Sequence, residues 1–140
     1  MSKDLTSKYR TLNDHIVYNK RAGKTVCVTT CLNYFGIPFD SYHYTHSKSD
    51  VNAFKTVLRK QWSVRSRKSE FKVKYPLPTM TALRKALKKS NYTEDDKFIV
   101  SGVQTRSAHL MVLDGNGETI IDTAKGMKWK IRDVSIVEAK

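Results

Sequence analysis

An α+β fold is predicted by three observations. Apolar residues recur at helical spacing through the first part of the chain, at Val28, Cys31, Leu32 and Phe35 and again at Met80, Leu83 and Leu87. After Asn91 the pattern changes to alternation and short buried runs, the signature of strands. Between two of those runs stands Asp114-Gly115-Asn116-Gly117, a strong hairpin turn. Helices first and strands after them imply N-terminal helices packed on a C-terminal antiparallel sheet. At 140 residues, with no internal repeat and no linker, the chain is expected to be one domain over 25–140, preceded by a polar segment, 1–24.

The first helix is expected to start beside Cys27, with Thr25 as cap. Gly36 and Pro38 end it. A loop with Tyr42, His43, Tyr44 and His46 follows, then a second helix over residues 50–62. Its stripe is Val51, Phe54, Leu58 and Trp62, and Ser49 or Asp50 is its cap. Residues 65–74 alternate loosely, as an edge strand or an ordered loop does, and Pro76 and Pro78 punctuate them. Thr79 caps a third helix with Met80, Leu83 and Leu87 inward and Arg84, Lys85, Lys88 and Lys89 outward. Strands are expected over 97–103, 108–113, 118–122, 127–132 and 135–138.

Charge sets this chain apart. Lys and Arg number 26 and Asp and Glu 13, a net charge of +13. Residues 48–89 hold thirteen of the basic residues but only Asp50 and Glu70, so most of the excess lies in the middle third. Such a patch attracts polyanions, whether nucleic acid or an acidic protein surface. The candidate anion-binding residues are Arg59, Lys60, Arg65, Arg67, Lys68, Lys72, Lys74, Arg84, Lys85, Lys88 and Lys89. Trp62, Phe71 and Tyr75 lie among them and suit stacking on bases, although such residues more often belong to the core. No helix-turn-helix, ribonucleoprotein signature or phosphate-cradling glycine loop is present, and no cofactor is expected. No apolar run reaches the roughly 18 residues of a membrane span, and no signal-peptide block is seen, so a cytoplasmic protein without a membrane partner is expected.

Three residues have the chemistry of a thiol hydrolase. Cys27 sits in the first turn of a helix, where the dipole and unpaired amides favour thiolate and can hold an oxyanion. His109 begins a strand, and the turn at Asp114 folds the next strand back so that Asp122 returns to the His109 end. A nucleophile, a base and an orienting carboxylate are what such chemistry requires.

Cys27-Val28-Thr29-Thr30-Cys31-Leu32, followed by Tyr34-Phe35-Gly36-Ile37-Pro38-Phe39-Asp40, resembles the opening helix of papain-like cysteine hydrolases, above all small phage and bacterial members. Ala108-His109-Leu110-Met111-Val112-Leu113-Asp114-Gly115 with Ile121-Asp122-Thr123 is similar to that family's second half. The resemblance covers roughly residues 25–125. It implies a papain-like fold and a peptidase or amidase acting on a host or phage protein. Cys27 would be the nucleophile, His109 the general base and acid, and Asp122 the orienter. The chain departs from the family at Val26, where small phage-type members often have an acidic residue. It departs again at Arg21, which stands at the usual offset of the oxyanion glutamine; Asn19 is the substitute within reach.

Two other readings use the same residues. Cys27 and Cys31 with His43 and His46 nearly reproduce the spacing of a zinc finger, but Pro38 interrupts the stretch and Cys31 belongs to an apolar stripe. A non-catalytic basic module that binds nucleic acid or an acidic host protein would use the middle third alone.

Overall fold

The computed structural model describes residues 27–37, 54–104, 108–122 and 128–140, with side chains from Thr30 onward in the first of these segments. Helix α1 spans Cys27–Tyr34. It closes as its sequence dictates. Gly36 takes φ 84°, a left-handed conformation that suits glycine. Gly36 N donates to Asn33 O at 2.9 Å and Ile37 N to Leu32 O at 3.1 Å. These two bonds satisfy carbonyls the helix leaves over, and Ile37 packs with Leu32 in the core.

A helical stretch at 54–58 and a turn at 59–61 lead into strand β1, Trp62–Ser66. The second helix was expected to run to Trp62; it stops at Leu58, and Trp62 opens the strand instead. Spacing alone cannot distinguish these outcomes, because Trp62 is buried at either period. The strand is fixed by Val64, buried two residues on, and by pairing of Trp62 with Ala139. The indole Nε1 donates to Phe35 O at 2.6 Å, joining β1 to the end of α1.

Helix α2, Met80–Lys89, begins at Thr79, whose hydroxyl accepts from Ala82 N at 3.1 Å. Leu83 and Leu87 are buried beneath it. The remaining strands are β2 (Lys97–Val103), β3 (Ala108–Asp114), β4 (Thr119–Ile121) and β5 (Lys130–Ala139). All pairs are antiparallel, in the order β1-β5-β2-β3-β4. The two strands expected over 127–132 and 135–138 form the one strand β5. A register shift between Ser101 and Gly102 makes this possible: Ser101 faces Asp133 and Gly102 faces Ile131, so Arg132 bulges out unopposed. The Asp114–Gly117 turn is built as read, with Asp114 Oδ1 accepting from Asn116 N and Glu118 N and with Gly117 at φ 82°.

The fold is α+β, but with helices on both faces of the sheet. Strand alternation divides the core in two. On one face Ile99, Leu110, Val112, Ile121, Val64 and Val137 meet α1 and the 54–58 stretch through Cys31, Leu32, Phe35, Phe54 and Leu58. On the other, Phe98, Val100, Met111, Leu113, Val134 and Ile136 meet Leu83 and Leu87 of α2 together with Phe71 and Val73. Strand β1 lies between the early helices and α2 in sequence, so the expected order of helices first and sheet after is realised except at β1. Among the described residues no helix is long and apolar enough to cross a membrane.

Leu87→Ala removes a wholly buried side chain from the α2 face. The expected cost is about 2–5 kcal/mol, measurable as a lower urea midpoint with an unchanged slope.

Candidate active site

His109 is the second residue of β3, and Asp122 follows the last residue of β4. The hairpin brings them together: His109 Nε2 lies 2.7 Å from Asp122 Oδ1. An ionised carboxylate only accepts, so Nε2 carries the proton and Nδ1 is left to take one up. The ring is 2 % exposed. Trp129 covers it, with ring centroids 4.9 Å apart and planes 18° from parallel. An imidazole buried in this way keeps one orientation and one tautomer, which a general base requires.

The same alternation sets the side on which the ring lies. Leu110 and Val112 point beneath α1, whereas His109 shares the opposite face with Met111 and Trp129. The ring is packed under an indole on the face of its strand away from α1. Period-two geometry is the reason: with Leu110 in the α1 core, His109 must face away.

Trp129 can lie there because residue 102 is glycine. Gly102 pairs with His109, and a Cβ added at 102 would meet Trp129 Cβ at 2.7 Å. Neither residue was singled out in the sequence. The available signal was a glycine inside a strand pattern, which marks a close approach.

Helix α1 packs against β3 and β4. Its last residue, Tyr34, has its phenol pKa raised by burial and then by the charge of Asp114, at the far end of β3 from His109. Cys27 is the first residue of α1. Its backbone opens the helix, and its side chain lies outside the described residues. Cys31 is fully buried in the α1 core, as its place in the apolar stripe implies. Asn19, Arg21, His43 and His46 fall outside the described residues, and with them the oxyanion substitute and half of the zinc-finger set. Among the described residues no group of three or more His, Cys, Asp or Glu could hold a metal ion.

The basic residues are not one surface with one role. Arg84, expected to point outward, turns to the hairpin and donates to Gly117 O at 2.5 Å and Thr119 Oγ1 at 2.6 Å. Arg65 pairs with Glu138 at 2.5 Å and Arg67 with Glu70 at 3.7 Å. Arg59, Lys60, Lys85, Lys88 and Lys89 are exposed on the turn before β1 and on α2. Lys68, Lys72 and Lys74 line a cleft of about 570 Å3 together with Ser66, Ser69 and Val73. Of the three aromatic residues, Trp62 and Phe71 are core, and Tyr75 is 86 % exposed.

Gly102→Ala forces Trp129 off the imidazole. The variant is expected to be about 1–3 kcal/mol less stable, seen as a lower melting temperature, with tryptophan fluorescence altered in the folded protein.

No family model, no curated protein and no solved structure matches this chain.

Proposed function

We propose that the chain is a papain-like thiol hydrolase with Cys27 as nucleophile, His109 as base and Asp122 as the carboxylate that orients it. The observation that carries the reading is the buried His109–Asp122 pair, at 2.7 Å beneath Trp129. A histidine with its Nε2 proton committed to a carboxylate has a single site, Nδ1, from which to act on a thiol. Helix α1 packs on the strand that carries this histidine, and its first residue is a cysteine. The imidazole lies on the face of β3 opposite α1, one residue from the end of the strand, so the reading requires the thiol to meet Nδ1 around that end.

The chemistry follows from those positions. Nδ1 takes the thiol proton, and the thiolate attacks a peptide or amide carbonyl. The first-turn amides of α1 hold the oxyanion that forms. The imidazolium gives its proton to the departing amine, leaving a thioester on Cys27. Nδ1 then deprotonates a water molecule, whose attack releases the acid and restores the thiol. Asp122 remains ionised throughout and stabilises the imidazolium. No metal or cofactor enters.

The test is the alkylation rate of Cys27 against pH, followed by mass spectrometry. An ordinary thiol near pKa ~8.5 reacts slowly at neutral pH. The wild type is expected to react with a plateau well below pH 8, and His109→Ala is expected to abolish that plateau. Asp122→Asn, which misdirects the ring proton, is expected to lower amide hydrolysis by orders of magnitude, roughly 10⁴ in the serine analogue, with little loss of fold. An ordinary thiol profile that His109→Ala leaves unchanged would sink the proposal.

A further inference from the structure

We infer that the cleft over β1, β2 and β5 is a binding site for single-stranded RNA, seating one ribose-phosphate unit against Ser101 and Asp133. The described lining of this cleft does not include His109, and the inference does not depend on the proposed chemistry.

Two buried polar atoms motivate the assignment. Ser101 is 3 % exposed, and its Oγ has no hydrogen-bond partner among the described residues; the same is true of Asp133 Oδ1. Leaving such atoms unsatisfied is costly, so pairs of them are rare without a purpose. They are neighbours, since Ser101 and Asp133 are register partners across β2 and β5. Both line one cavity of about 320 Å3, with Phe54, Lys55, Ser66, Lys68 and Arg132. That volume is at the small end of ligand clefts, roughly 300 Å3 and upward. Arg132 is the residue that the bulge pushes out of register, which aims a cation into the cavity without breaking the strand.

The chemistry of the lining selects the ligand. Lys55 pairs with Asp133 Oδ2 at 2.5 Å, which leaves Oδ1 to accept and Lys68 and Arg132 to meet negative charge. The ligand must therefore offer a hydroxyl donor and an anion a few ångströms apart. A ribose-phosphate does so through its 2′-hydroxyl and phosphodiester. An acidic peptide carries carboxylates and backbone N–H donors but no 2′-hydroxyl, and the paired probes and the polyglutamate competition below separate the two. The strand continues naturally, because Ser66 and Lys68 are shared with the larger cleft of about 570 Å3, where the charged residues among those described are Lys68, Lys72 and Lys74. Beside Lys74 stands Tyr75, the one large hydrophobic residue exposed among those described. An exposed ring next to a basic track is a stacking platform for an unpaired base.

The experiment uses the full chain and two labelled probes that differ only in the 2′-hydroxyl, oligo-uridylate and oligo-deoxyuridylate, with binding read by fluorescence anisotropy. The ribo-probe is expected to bind about tenfold more tightly, the worth of one hydrogen bond to a charged acceptor. Ser101→Ala is expected to reduce that ratio while leaving the deoxy affinity in place. Lys68→Ala with Lys72→Ala is expected to weaken both probes alike and to flatten the salt dependence by about 0.7 per lost phosphate contact. Tyr75→Ala is expected to weaken both by roughly fivefold or more. Equal affinity for the two probes would overturn the inference, and that comparison needs no variant. Displacement of the ribo-probe by polyglutamate at equal charge would also overturn it, in favour of an acidic protein partner.

Discussion

Strand β2 is covered on both faces, and the arrangement of everything else follows from that constraint. Phe98 and Val100 face α2 while Ile99 and Ser101 face the α1 side, and none of the four is more than 3 % exposed. A strand buried on both sides must have its backbone groups paired on both edges, and β3 and β5 supply those pairs. The layers then have to close over it: α1 and the 54–58 stretch on one side, α2 with the Phe71–Val73 segment on the other. The start of α2 is tied to the sheet directly, through Met80 N to Trp129 O and Ile131 N to Pro78 O.

The two candidate sites lie where this scheme is interrupted. Near one end of β2, Gly102 lacks the side chain that would fill the α2 face, and Trp129 moves into the space over His109. One residue earlier, the register shift leaves Arg132 without a partner and sets Asp133 against Ser101 on the opposite face. A single irregularity thus separates a buried imidazole–carboxylate pair from a basic, hydroxyl-lined cavity. Irregular ladder positions are where side chains can be aimed away from the average plane.

Much of the architecture was legible because local rules and packing agree. The Thr79 cap, the Gly36 stop, the Asp114 turn and strand β2 all have strong local signals. The pairing of His109 with Asp122 was legible for the same reason, since a tight hairpin fixes which residues return to the same end. Trp62 was not, because helix and strand periods both bury it and only its partner Ala139 decides. The continuity of β5 was hidden by Arg132 and Asp133, two charged residues in its middle. They look like a break in sequence, yet they are a bulged cation and a carboxylate held by Lys55. Trp129 and Gly102 acquire meaning only as a pair, 27 positions apart in the chain.

The order β1-β5-β2-β3-β4 has a further consequence for how the chain is assembled. The strand latest in sequence of the five lies between β1 and β2, so among the described strands β1 has no neighbour to join until β5 arrives. During synthesis β2, β3 and β4 can zip as successive hairpin-like pairs, but the flank of β2 stays open and β1 waits roughly seventy residues for its partner. Contacts this distant in sequence are slow to form and leave sticky edges exposed meanwhile. The lysines and arginines concentrated around β1 acquire a second use in that interval: like charges on a waiting strand keep one unfinished chain from pairing with another.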